Sequence, residues 1–150
     1  MASNRFHVLN IPRCVYEGML WHARAEHPLE CCGLLAGVAR ADGVGEVRLR
    51  YPLLNAAASA VEFESEPRSH FSADRDIRRQ GLDVLAIYHS HPTSAPLPSR
   101  KDLERSWSAD VVNLIVSLAT MPPRVRAWWL SAEMYREAEW TIQDAADQSK

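Results

Sequence analysis

The chain has 150 residues, 47% of them hydrophobic and 24% charged, with a formal net charge of −2. That composition suits one soluble globular domain over residues 1–150 and leaves no broad field to draw the protein to nucleic acid or anionic lipid. No apolar run approaches the roughly 18 residues of a membrane span, and the three cysteines (Cys14, Cys31, Cys32) make a poor disulfide framework, which fits a reducing cytoplasm.

The N-terminus has no sustained apolar stretch, because Asn4, Arg5 and His7 interrupt it early, so it does not read as a signal peptide. Pro12 to Glu26 reads as a helix: Val15, Tyr16, Met19, Leu20 and Ala23 share one face at helical spacing, and His27-Pro28 ends it. Cys31 to Val38 is a short apolar run with two glycines and reads as a buried strand. Gly43 to Pro52 alternates as a half-exposed strand. Ala56 to Phe63 is expected to be an irregular link or a short strand, and Ser69 to Gln80 a polar helix closed by Gly81. Leu82 to Tyr88 is apolar nearly throughout, the signature of a strand buried on both faces.

Further along, Pro92 to Pro98 is a loop with three prolines, Ser99 to Ser106 a short helix, and Val111 to Ala119 another central strand. Arg124 to Leu130 and Glu137 to Ile142 are expected to close the domain as an antiparallel pair, with a polar tail over about 141–150. The sum is an α/β (α+β) domain with a mixed central β-sheet flanked by helices.

The segment after the buried strand carries the chemistry. In His89-Ser90-His91 the two imidazoles lie two residues apart on an extended chain and project to the same side. They emerge at the end of a strand, where open sheets place their sites, and Pro92 stiffens the exit. Two imidazoles so held make half of a zinc site; Asp102, a proline-rich loop and one helical turn away, can supply a third ligand. Read alone, these residues also fit plainer assignments. A His-x-His pair is commonly surface or capping, and Ser99 to Asp102 is equally a helix cap with an acidic first turn. Both assignments can hold together, since a capping serine fixes where the aspartate points. His7, His22, His27 and His70 have no spaced partners and read as structural or solvated. Cys31 and Cys32 cannot face one metal from a strand, though one of them can line the site. Trp21, Trp107, Trp128, Trp129 and Trp140 read as core or rim aromatics, with a substrate-docking surface at Trp128-Trp129 the lesser alternative.

The run His89-x-His91-Pro92, six residues, Ser99, two residues, Asp102 resembles the motif of the JAMM (MPN-plus, JAB-type) zinc metalloproteases without a gap. That family also carries an upstream glutamate in a glycine-rich context, matched here by Leu29-Glu30-Cys31-Cys32-Gly33-Leu34-Leu35-Ala36-Gly37. One departure is mild: Ala86 stands where the family often has glycine. The resemblance implies a JAB/MPN, cytidine-deaminase-like fold with one zinc ion per chain held by His89, His91 and Asp102. It further implies Glu30 as general acid–base, Ser99 as oxyanion donor, and hydrolysis of an amide or isopeptide bond. The chain's shortness resembles the stand-alone bacterial members, which act on the C-termini of ubiquitin-like sulfur-carrier proteins, trimming residues or releasing cysteine. A non-catalytic MPN-type scaffold is the alternative. Such scaffolds usually lack metal ligands, and here every one is present. A DNA-repair-associated group with a similar motif is disfavoured by the net charge of −2.

Overall fold

A computed structural model describes residues 5–105 and 108–144 of the chain. The elements run β1 (Val8–Pro12), α1 (Arg13–Glu26), β2 (Cys32–Ala39), β3 (Val44–Leu53), α2 (Pro67–Arg79), β4 (Asp83–His91), α3 (Arg100–Glu104), β5 (Val112–Ser117), β6 (Arg124–Leu130), β7 (Tyr135–Glu137) and β8 (Glu139–Gln143). The strands form one mixed sheet in the order β7-β6-β5-β4-β2-β3-β1-β8. β4 runs antiparallel to β2 and parallel to β5, and so lies near the centre.

Helices cover both faces. On one face α1 buries Val15, Met19 and Ala23 against Leu35, Tyr88 and Leu114. On the other, Ala73 and Ile77 of α2 pack on Cys32, Leu34 and Ile87, and Leu103 of α3 packs on Ile115 and Trp128. A strand covered on both sides has no wet face, so β4 is apolar nearly throughout instead of alternating. Cys31 joins the α1-side cluster and Cys32 the α2-side cluster, the opposite orientations expected of neighbours in an extended chain. Between β2 and β4 the register shifts, since Leu35 pairs with Ala86 but Ala36 pairs with Val84. Leu85 is the extra residue, which puts both it and Ala86 in the α1-side cluster. Beyond that bulge the alternation is regular: Tyr88 and Ser90 face α1, and His89 and His91 face the other way.

Tyr88 sets a tight packing constraint. A Cβ at Gly33 would lie 2.2 Å from Tyr88 Cε2 and 2.3 Å from Cζ. The ring's hydroxyl meets His22 Nδ1 at 2.7 Å and accepts from Arg50 Nη1 at 3.1 Å. His22 is thus a buried structural histidine, and burial lowers its pKa, with the Arg50 charge acting in the same direction. Gly33→Ala is expected to lower unfolding stability by about 1–3 kcal/mol through overpacking, read as a fall in the urea midpoint at constant m-value. An unchanged midpoint would show that Tyr88 gives way.

Several boundaries and one pairing differ from expectation. β1 precedes α1 where no strand was expected; Pro12 ends it and acts as the N-cap of α1. α2 starts at Pro67, because the Glu66 carboxylate accepts from Arg68 N and Ser69 N, and a proline suits the first helical turn. α3 is shorter than expected, and Ser106 lies outside the described residues, as does Trp107. The expected antiparallel pair of Arg124–Leu130 with Glu137–Ile142 forms only at its near end, where Glu137 pairs with Trp128. β6 pairs with the short β7, and β8 crosses to the opposite edge to run parallel with β1. Trp140 on β8 then stacks with Tyr16 of α1. The strand reaches Gln143, inside the segment expected to be a fraying tail. Trp128 and Trp129 are 4% and 6% exposed, which makes them core and not a docking surface, whereas Trp21 is exposed.

Candidate active site

His89 and His91 occupy the last turn-free residues of β4, on the face away from α1, and both are buried. Their Nε2 atoms lie 3.2 Å apart. Asp102, in the first turn of α3, points into the same space, with Oδ1 3.2 Å from His89 Nε2 and Oδ2 3.2 Å from His91 Nε2. Among the described residues these three form a group whose ligand atoms all lie within 4.8 Å of one another. Ligands about 2.0 Å from the centre of a tetrahedron are separated by about 3.3 Å. The separation of the two Nε2 atoms is close to that edge, and with one Asp102 oxygen in the same 4.8 Å group the donor set can hold a metal ion with one position left free.

The surroundings orient these donors. His91 Nδ1 lies 2.9 Å from the Ala95 carbonyl, which can only accept, so Nδ1 carries the proton and Nε2 presents a lone pair to the site. His89 Nδ1 is buried with no hydrogen-bond partner among the described residues. Its ring is held by stacking on Phe63, with centroids 4.5 Å apart. Asp102 is held by a capping box: Ser99 N donates to Asp102 Oδ2 at 2.8 Å, and Asp102 N donates to Ser99 Oγ at 3.1 Å. The cap and the metal-ligand assignments, open in the sequence, therefore coexist in one helix turn. Burial pushes the Asp102 carboxyl up, but charge and hydrogen bonding from His89, hydrogen bonding from His91 and the Ser99 N–H outweigh it and hold the group well below the usual carboxylate range. For His91 burial acts downward, and hydrogen bonds to Asp102 and the Ala95 carbonyl outweigh it, raising the pKa.

Glu30 lies just before β2 and is 3% exposed. Burial pushes its pKa up to about 8; the His91 charge opposes this, while Asp102 and Glu62 reinforce it. One carboxyl oxygen, Oε1, is buried without a hydrogen-bond partner among the described residues. A raised pKa makes the carboxylate a stronger proton acceptor, the property a general base needs near neutral pH. In the capping box the Ser99 oxygen accepts from Asp102 N, which leaves its hydroxyl proton uncommitted.

Residues 12–131 match the family of prokaryotic homologs of the JAB domain. The chain belongs to the prokaryotic JAB family. It is 36% identical to a desampylase of Haloferax volcanii over 78% of this chain and 84% of that protein. It is 36% identical to a probable TtuB-protein conjugate cleaving protease of Thermus thermophilus, over 70% of this chain and 68% of the relative. A CysO-cysteine peptidase of Mycobacterium tuberculosis is 30% identical, over 78% of each chain. The solution structure of a Desulfitobacterium hafniense protein superposes with a TM-score of 0.82 at 31% identity, covering 91% of this chain and 93% of that one. The chain is accordingly a hydrolase of the JAMM type.

In this prokaryotic JAB chain a cavity of about 420 Å³ opens beside the group of His89, His91 and Asp102. Cys32, Leu34, Ile87 and Val111 give it an apolar wall, and His89 and Asp102 also line it. The segment after β3 covers it. Glu62 pairs with Lys101 at 2.9 Å and with Arg105 at 3.3 Å, and Arg105 Nη1 donates to the Phe63 carbonyl at 3.0 Å. Phe63 and Glu62 were not singled out in the sequence, because residues 54–66 carry no periodicity. His70, read as unpartnered, lies 2.8 Å from Ser65 Oγ and 3.5 Å from Asp74, and lines the cavity. No helix among the described residues is long and apolar enough to cross a membrane.

Proposed function

We propose that the protein is a zinc metallopeptidase that hydrolyses the amide or isopeptide bond at the C-terminus of a small ubiquitin-like or sulfur-carrier protein. His89, His91 and Asp102 hold the zinc, Glu30 handles the proton, and Ser99 meets the oxyanion. The observation that carries this reading is the convergence of two imidazoles and a carboxylate at 3.2 Å separations, with a buried glutamate of raised pKa within electrostatic reach.

When bound, zinc acts as a Lewis acid and lowers the pKa of water toward about 7. Glu30 takes the proton of the attacking water and returns it to the leaving amine, so the bond breaks without expelling an amide anion. Ser99 donates its free hydroxyl proton to the developing oxyanion. The acyl product keeps a new C-terminal carboxylate. A relative named as cleaving TtuB–protein conjugates and another named as a CysO-cysteine peptidase support a carrier's C-terminal bond as the target.

The test is incubation with candidate carriers bearing either a C-terminal peptide extension or a single amino acid, read by intact mass. Loss of a defined mass at the carrier's C-terminus supports the reading; carriers left intact by zinc-loaded protein contradict it. Ser99→Ala is expected to slow this cleavage about 10²-fold and to lower stability by about 1 kcal/mol through the lost N-cap. Rates and a thermal melt of one preparation measure both. A stability loss with an unchanged rate would restrict Ser99 to its capping role.

A further inference from the structure

We propose that Asn55 is a positioning residue for the hydrolysis, its side-chain amide fixing the main chain of Glu30 so that the buried carboxyl meets the site in a single geometry. This rests on the peptidase reading above.

Glu30 needs outside support. It lies in the irregular stretch between α1 and β2, so no helix or strand ladder fixes its backbone. At the side-chain end Oε1 has no hydrogen-bond partner among the described residues to align it. What holds the residue is its main chain, and both polar groups of that main chain are gripped by one segment. Glu30 N donates to the Ser59 carbonyl at 2.7 Å. The Glu30 carbonyl accepts from Asn55 Nδ2 at 2.9 Å.

Asn55 is itself fully specified. Nδ2 also donates to the Glu62 carbonyl at 3.2 Å, while Oδ1 accepts from Ala57 N at 3.0 Å and from Glu64 N at 2.9 Å. Both donors and both acceptor positions of the amide are used, and the partners admit one orientation only, since carbonyls need the NH₂ and N–H groups need the oxygen. One residue further on, Cys31 N donates to Ser90 Oγ at 2.8 Å and Ser90 N to the Cys31 carbonyl at 3.1 Å. Ser90 sits between the two histidines. The chain of bonds from Asn55 through Glu30 and Cys31 to Ser90 thus ties the base to the strand that carries His89 and His91.

Asn55→Asp isolates this role. The aspartate keeps an oxygen for Ala57 N and Glu64 N but sets a second oxygen against the Glu30 and Glu62 carbonyls. The expected result is a kcat lowered by about 10–100-fold, the usual effect of removing a supporting partner, with KM and zinc stoichiometry unchanged. The double variant N55D/E30Q is expected to be no slower than E30Q, because Asn55 acts through Glu30. Hydrogen exchange on the full chain, with and without zinc, is expected to speed up at Glu30 and Cys31 while β4 and β5 keep their protection.

A wild-type kcat in N55D overturns the proposal. So does a double variant slowed by the product of the two single effects. So does a variant that loses zinc and β4 protection together with its activity, which marks a purely structural role. Wild-type protein that binds zinc and cleaves no carrier overturns the peptidase reading instead; the exchange measurement still tests the hold of Asn55 on Glu30.

Discussion

Glu30→Gln is expected to keep one zinc per chain and to cleave a carrier about 10³-fold more slowly, the middle of the range for a positioned acid–base group. Glutamine preserves the volume and one oxygen but cannot take a proton. The proposed metal ligands come from β4 and α3, and the substitution touches neither. Misfolding is separable from lost chemistry by the pH dependence of stability. In the metal-free protein the folded-state pKa of Glu30 is about 8 against an ordinary value of 4.5. The folded state therefore binds more protons than the unfolded state between those values. The favourable contribution is complete below pH 4.5 and is lost as pH rises through about 8. Glutamine is neutral throughout, so chelated E30Q should melt no lower than chelated wild type at pH 8. Rates near wild type in E30Q would remove Glu30 from the chemistry.

Asp102→Asn is expected to weaken zinc binding by more than about 100-fold, beyond the usual effect of losing a supporting partner, because a ligand itself is changed. The rate should fall by about 10³-fold, equivalent to about 4 kcal/mol of transition-state stabilisation. Asp102 lies 3.2 Å from both histidines, and its negative charge offsets the electrostatic cost of bringing a divalent cation into a buried place. Asparagine keeps an oxygen that can accept from Ser99 N, so the cap of α3 should persist. The variant is thus expected to lose metal without losing the helix. Elemental analysis after dialysis against a mild chelator, with circular dichroism on the same sample, checks both halves. Retention of a full equivalent of zinc would show that the carboxylate is not a ligand.

The parts of the fold legible in the sequence were those with strong local rules. β4 was legible because burial on both faces leaves a continuous apolar run, and the histidines because alternation in a strand puts residues two apart on one side. α1 showed its apolar face and its stop at His27-Pro28. The strand pairing at the edges was not legible. β8 runs parallel to β1, its partner more than a hundred residues earlier, and local pattern carries no information about such long-range partners. Arg124–Leu130 pairs antiparallel with the nearby Tyr135–Glu137, so only the near end of the expected pair is right. The start of α2 was missed because its N-cap is a glutamate, a residue that rarely caps.

At the site the same division holds. His89, His91 and Asp102 were marked by spacing, and the structure brings them together. Glu30 was selected only by the glycine-rich context of the family motif. Its raised pKa comes from burial, a tertiary property. Asn55, Glu62 and Phe63 left no signal in the sequence because their contributions are a hydrogen-bond hub, an ion-pair strap and a stacked ring, all made by an irregular segment.

The most direct test is one preparation assayed in three states against a ubiquitin-like carrier with a C-terminal extension: as purified, after chelation, and after one equivalent of zinc is restored. The expected result is a carrier shortened by a defined C-terminal mass in the first and third states and left intact in the second. Cleavage that survives complete removal of metal, or a carrier left intact after zinc is restored, would contradict a metallopeptidase centre built on Glu30, His89, His91 and Asp102.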